Sequence, residues 1–92
     1  VLLALDAQLR IVGIGGERIL PLADFFKGYR KTDLQPGEVI VSVQIPKTIT
    51  AGATHRLSQS YKVGKRGTDD ISVVAAAFTI DLGEDNRIQH AR

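Results

Sequence analysis

Cysteine, methionine and tryptophan are all absent from the 92-residue sequence, and aromatic residues make up only 5% of it. Without cysteine this stretch holds no disulfide framework, no iron–sulfur ligand set and no thiolate zinc site, which agrees with an expected cytoplasmic setting. No apolar run approaches the ~20 residues that cross a bilayer. The opening Val1-Leu2-Leu3-Ala4-Leu5 also lacks the basic leader and cleavage pattern of a signal peptide. The missing methionine and the abrupt apolar start read as a piece cut from a longer polypeptide. Charge of one sign is scarce too. Residues 1–46 carry five basic and five acidic side chains, and residues 47–92 carry seven against five, so the later half supplies the whole net +2. An excess that small, with Tyr61 and Phe78 as the only rings of that half, does not make the basic, aromatic face of a nucleic-acid domain. His55 and His90 have no ligand partner at metal spacing, so no metal is expected.

What is present suits a soluble globular chain: 43% hydrophobic and 24% charged residues. The length allows one small domain or parts of two adjoining ones. A chain this short buries little more than roughly 60% of its unfolded surface, so its stability margin is thin. Residues 1–5 read as the last turn of a helix. Residues 7–14 alternate as a strand with Leu9 and Ile11 on one face, Gly13-Ile14-Gly15-Gly16 turns the chain, and residues 18–22 return as a second strand. Gly13-x-Gly15 resembles the start of a dinucleotide fingerprint. The third glycine is missing and no helix follows, so a hairpin turn is the better reading.

Asp24-Phe25-Phe26 reads as a short helical turn entered at Pro21 and left at Gly28, followed by a loop bearing Lys27, Arg30 and Lys31. Leu34-Gln35-Pro36-Gly37-Glu38 is a turn and residues 39–45 a strand stopped by Pro46. The small polar residues 47–54 form a connector and mark the expected domain boundary. Residues 55–63 read as a strand with Leu57, Gln59 and Tyr61 on one face. The loop 64–70 follows, then strand 71–82, a turn at 83–86 and strand 87–91. Ala75-Ala76-Ala77 has helical propensity, but the β-branched residues around it favour a strand.

Few residues carry chemistry by themselves. His55, Ser58 and Asp69 do not make a hydrolytic triad, because the sharp turn that exposes a nucleophilic serine is missing. Asp69 and Asp70 are neighbours that point apart, and pairing with nearby amides or with Lys65 and Arg66 explains them more simply than acid–base catalysis. Lys62, just before the glycine-flanked loop, can reach an anionic ring or a phosphate.

Phe25-Phe26-Lys27-Gly28-Tyr29-Arg30-Lys31-Thr32, then Leu34, Pro36, Glu38-Val39-Ile40, Ser42 and Ile45-Pro46, form one ordered block. Tyr61-Lys62, Arg66, Asp69-Asp70-Ile71-Ser72 and Val74 form a second. Together they resemble the flavin subunit of the xanthine dehydrogenase and molybdenum hydroxylase family. The resemblance implies an α+β, mostly antiparallel fold. Residues 1–46 would be the last part of an FAD-binding domain, with hairpins and a short helix. Residues 47–92 would open the next domain with a three-stranded antiparallel sheet. It implies FAD as cofactor, with Ile40 (where the family usually has Leu) and Lys62 as flavin contacts, and with the diphosphate-binding glycine loop upstream of Val1. Arg66, Asp69 and Asp70 would line a loop near the nicotinamide approach, and Arg30 and Lys31 would be structural.

The parent would pass electrons from a molybdenum-containing subunit or domain through an iron–sulfur domain and FAD to NAD. The stretch by itself would hold no catalytic residue and would self-associate. A flavin subunit acting on carbon monoxide or an aldehyde, and a non-catalytic β-rich interaction module, are the alternatives.

Overall fold

The computed structural model describes residues 1–67 and 70–92. The chain folds as two compact units, Leu2–Lys47 and Thr48–Arg92, with Val1 grouped with the latter. The architecture is α+β and mostly antiparallel: eight strands and one short helix among the described residues, in three small sheets.

In the first unit, β1 (Gln8–Gly13) lies between β2 (Gly16–Pro21) and β5 (Val39–Gln44), antiparallel to both. Gly13 pairs with Gly16, so the hairpin closes on Ile14-Gly15, and Gly16 takes a φ of 123° that a β-carbon would resist. Alternation places Leu9 and Ile11 on the inner face. There they join Ala7, Leu22 and Phe25 in the core, with Leu20 packed against it. The helix α1 (Leu22–Phe25) starts earlier and stops sooner than the sequence suggests. It buries Leu22 and Phe25, and Phe26 already extends into β3 (Phe26–Gly28). Burial of those two apolar side chains sets the turn, rather than capping, since no side chain caps it.

The basic loop is in fact a small hairpin. β3 pairs with β4 (Lys31–Thr32), Arg30 takes a φ of 55°, and its guanidinium lies 5.3 Å from the Tyr29 ring centroid. Residues 1–5 are not a helix end either. They form tight turns closed by Leu5 N to Leu2 O and Asp6 N to Leu3 O, and Asp6 turns the chain into β1 with a φ of 53°. No helix among the described residues is long and apolar enough to cross a membrane.

In the second unit β6 (His55–Gly64), β7 (Ser72–Leu82) and β8 (Ile88–Ala91) form one antiparallel sheet in that order. The Ala75-Ala76-Ala77 run is strand, paired residue by residue with Lys62, Tyr61 and Ser60. Ten rungs of ladder between β6 and β7 override the helical propensity of three alanines. Lys62 therefore shares a face with Ser60, Ala75 and Ala77, and Tyr61 shares the other with Leu57, Ala76 and Phe78.

Candidate functional site

Ile40 sits on β5 opposite Ile11, the most buried side chain of the first unit, and is itself 43% exposed. Its face is decided by an irregularity. Arg10 pairs with Ser42, but the next residue, Ile11, pairs with Ile40 rather than Val41, so β5 carries one extra residue. In a regular ladder Ile40 would stand opposite Val12, on the other side of the sheet. The bulge returns it to the inner face, where with Val43 it extends the apolar surface of Leu9 and Ile11 outward.

Lys62 is exposed near the end of β6, above Ala75, its direct cross-strand partner. A depression of about 440 Å³ lies here, lined by Val1 together with Ser60, Tyr61, Lys62, Ala75, Ala76 and Ala77. Small side chains leave a flat floor, and Lys62 is the only charged side chain among these lining residues. Such a floor suits a planar ring that carries or gains negative charge.

The loop after β6 is held by Asp70. Its Oδ2 accepts the Arg66 backbone amide at 3.0 Å and its Oδ1 the Ile71 amide at 2.8 Å. The Asp70 carboxylate thus serves the loop's own backbone, and the Arg66 side chain is exposed. Asp69 lies outside the described residues. His55 and Ser58 fall on opposite faces of β6, bonded to Thr54 and Thr79 respectively, which disposes of a triad between them.

Two polar clusters escape a reading of the sequence. In the second unit the Asp81 side chain is fully buried on β7. It accepts Arg56 Nε at 2.6 Å and Nη2 at 2.9 Å, Thr50 hydroxyl and amide at 2.6 and 3.1 Å, and Arg92 Nη2 at 3.1 Å. The Arg56 hydrogen bonds dominate and, with Thr50 and Arg92, hold this carboxyl far below the usual carboxylate range, against a desolvation that alone would raise it. The signal available in the sequence was an aspartate inside the apolar run Phe78-Thr79-Ile80-Asp81-Leu82, since a charge buried in a sheet needs a partner. In the first unit Arg18 on β2 holds Asp33 and Glu38 together. The two carboxylates raise the Arg18 pKa, and the guanidinium lowers that of Asp33. These partners are 15 and 20 residues away, and no local pattern announces them.

An apolar strand face and a cation over a flat small-residue floor are surfaces of the class that receives a planar, charge-accepting ring. Comparison with known proteins supplies the family. A family model described as the FAD binding domain in molybdopterin dehydrogenase matches residues 1–48. The chain is 39% identical to the xanthine dehydrogenase of Blastobotrys adeninivorans over 93 aligned residues, which take in 100% of the chain and 6% of that protein. It is 34% identical to the nicotinate hydroxylase hnxS of Emericella nidulans (99% of the chain, 7% of that protein). It is 33% identical to the xanthine dehydrogenase/oxidase of Gallus gallus (87% of the chain, 6% of that protein). The chain belongs to the family of FAD-binding domains of molybdopterin dehydrogenases. It spans under a tenth of the length of these relatives, and FAD is the cofactor of the parent protein.

Proposed function

We propose that this chain is the junction in a xanthine dehydrogenase-like flavoprotein where the FAD-binding domain ends, over residues 1–46, and the next domain begins, over residues 47–92. The observation that carries this reading is the reach of the similarity: one alignment runs through both units and takes in the whole chain. In the parent, FAD accepts electrons that arrive from a molybdenum centre by way of iron–sulfur clusters and passes them to NAD. The setting is cytoplasmic. Ile40 presents an apolar wall to the flavin ring and excludes water from its edge. Lys62 places an ammonium beside the ring and stabilises added negative charge there. Arg66, Asp69 and Asp70 belong to the loop by which the nicotinamide approaches. Asp70 acts through loop shape, since its oxygens hold the Arg66 and Ile71 amides.

The chain's residues fit FAD in part: they supply ring contacts, while the diphosphate cradle belongs to upstream sequence. The chain is similar to relatives with different names, a xanthine dehydrogenase and a nicotinate hydroxylase among them. The oxidised substrate is accordingly chosen elsewhere in the parent, and a carbon monoxide- or aldehyde-oxidising parent would use the same flavin contacts. Half-exposed apolar side chains on β5 and on the Tyr61 face of β6 and β7 support self-association of the isolated 92-residue stretch.

Two measurements on the full-length protein test the reading. It purifies with flavin absorbance, and a colourless protein that takes up no FAD on reconstitution would end the assignment. Lys62→Met lowers the flavin midpoint potential by roughly 30–60 mV, the shift expected when one nearby charge no longer stabilises the reduced ring. An unchanged potential removes Lys62 from the flavin.

A further inference from the structure

A single guanidinium ties the turn before β5 to β2. Arg18 Nε donates to Glu38 Oε2 at 2.9 Å and Nη2 to Oε1 at 3.3 Å, while Nη1 donates to Asp33 Oδ2 at 2.6 Å and Nη2 to the Asp33 carbonyl at 2.7 Å. Glu38 Oε1 also accepts the Gln35 amide at 3.2 Å, which braces the Gln35-Pro36-Gly37-Glu38 turn from within. That turn is closed by Glu38 N to Gln35 O at 3.0 Å, with Gly37 at a φ of 81°. Gly13 makes the arrangement possible. A β-carbon at that position would come within 2.9 Å of Glu38 Cγ, tighter than real side chains pack. The glycine that resembles a dinucleotide fingerprint is thus a site of close approach for Glu38.

Exposed ion pairs are usually worth little. This one joins four donor–acceptor contacts on a planar fork, so it defines position as well as energy. Its place in the sheet gives it a consequence. Ile11 pairs with Arg18 on one side and with Ile40 on the other, so all three stand on one face. Glu38 is two residues before Ile40, and the extra residue of the bulge comes directly after it. Sheet geometry allows two registers at the start of β5, and the structure holds the bulged one. The bulged one puts Ile40 opposite Ile11, and the regular one puts Val41 there and sends Ile40 to the opposite face. Anchoring Glu38 and Asp33 selects the first.

We propose that Arg18 is a positioning residue for the flavin. By clamping Glu38 and Asp33 beside Gly13 it holds β5 in its bulged register, and so presents Ile40 to the ring. The inference rests on the assignment of Ile40 as a flavin contact.

The test measures FAD affinity of the full-length apoprotein by flavin fluorescence, together with the visible circular dichroism of the bound flavin. Arg18→Ala weakens FAD binding about 5-fold or more, and Arg18→Lys, which keeps the charge without the fork, falls between it and the parent. In an Ile40→Ala background the same Arg18→Ala change adds less than about 2-fold, because the residue through which it acts is gone. Equal losses in both backgrounds overturn the clamp. Should Arg18→Ala fail to accumulate folded, Gly13→Ala carries the test. It retains the guanidinium and both carboxylates as chemical groups, displaces Glu38, and weakens FAD binding to a similar extent. A Gly13→Ala protein with native affinity and dichroism overturns the proposal. An Ile40→Ala protein with native affinity and dichroism instead refutes the Ile40 assignment, whatever the Arg18 variants do.

Discussion

Asp81→Asn is expected to raise amide hydrogen exchange across β6, β7 and β8 of the full-length protein by roughly 100-fold or more, while the exchange of β1, β2 and β5 stays unchanged. The side chain keeps its shape and loses its charge. Arg56 Nε and Arg92 Nη2, 2.6 and 3.1 Å from the carboxylate, then lose the charge of a side chain that is itself fully buried. One partner removed from a buried pair costs far more than the pair contributes, because desolvation of the remaining charge is no longer offset. Glu84→Gln, at an exposed turn position, is the control and leaves exchange unaltered.

The same carboxylate predicts a pH dependence with a definite sign. In the unfolded chain Asp81 takes up a proton near pH 4. Folded, hydrogen-bonded by Arg56, Thr50 and Arg92, it refuses that proton until far lower pH. The unfolded state therefore binds more protons at acid pH. The contribution of Asp81 is complete above about pH 4 and drains away as pH falls below it. The exchange rates of parent and Asp81→Asn proteins should consequently converge below pH 4, after correction for intrinsic exchange. Curves that stay parallel down to pH 2.5 would show that the buried carboxylate is not the group responsible.

Ile11→Ala is the second large effect. Ile11 has no exposed surface, lies at the middle of the central strand and touches the core formed by Ala7, Leu9, Leu22 and Phe25. Truncation removes its buried methyl and methylene groups and leaves a cavity, for a loss of about 2–5 kcal/mol. In a unit of under 50 residues that is a large share of the whole stability, so protection of β1, β2 and β5 should largely vanish. Ile14→Ala, fully exposed at the hairpin tip, should change nothing measurable. Since Ile40 packs from β5 opposite Ile11, the core change should also loosen bound flavin. A destabilised Ile11→Ala protein that binds FAD with native affinity would separate the core from the flavin wall.

The strand content was legible because its signals are local. Alternation announced β1, glycines announced the Gly13 to Gly16 turn, and Pro36-Gly37 announced the turn into β5. Propensity failed where packing intervened. The helical turn shifted toward Pro21 because Leu22 and Phe25 are the residues it buries. The loop bearing Lys27, Arg30 and Lys31 closed into a hairpin because Arg30 accepts a left-handed backbone beside the Tyr29 ring. Residues 1–5 are tight turns and not the last turn of a helix, and Asp6, at a φ of 53°, turns the chain into β1.

For this protein the order of residues alone was enough to set the β1–β2 and β7–β8 hairpins, which depend on neighbours within a few positions, and to carry the family resemblance that implies the flavin contacts to be tested. The face on which Ile40 stands, the clamp of Arg18 on Glu38 and the burial of Asp81 were decided only in three dimensions. A one-residue bulge inverts the direction of a side chain without leaving a mark in composition. A charge can be buried only where folding brings opposite charges from 11 and 25 residues away to meet it.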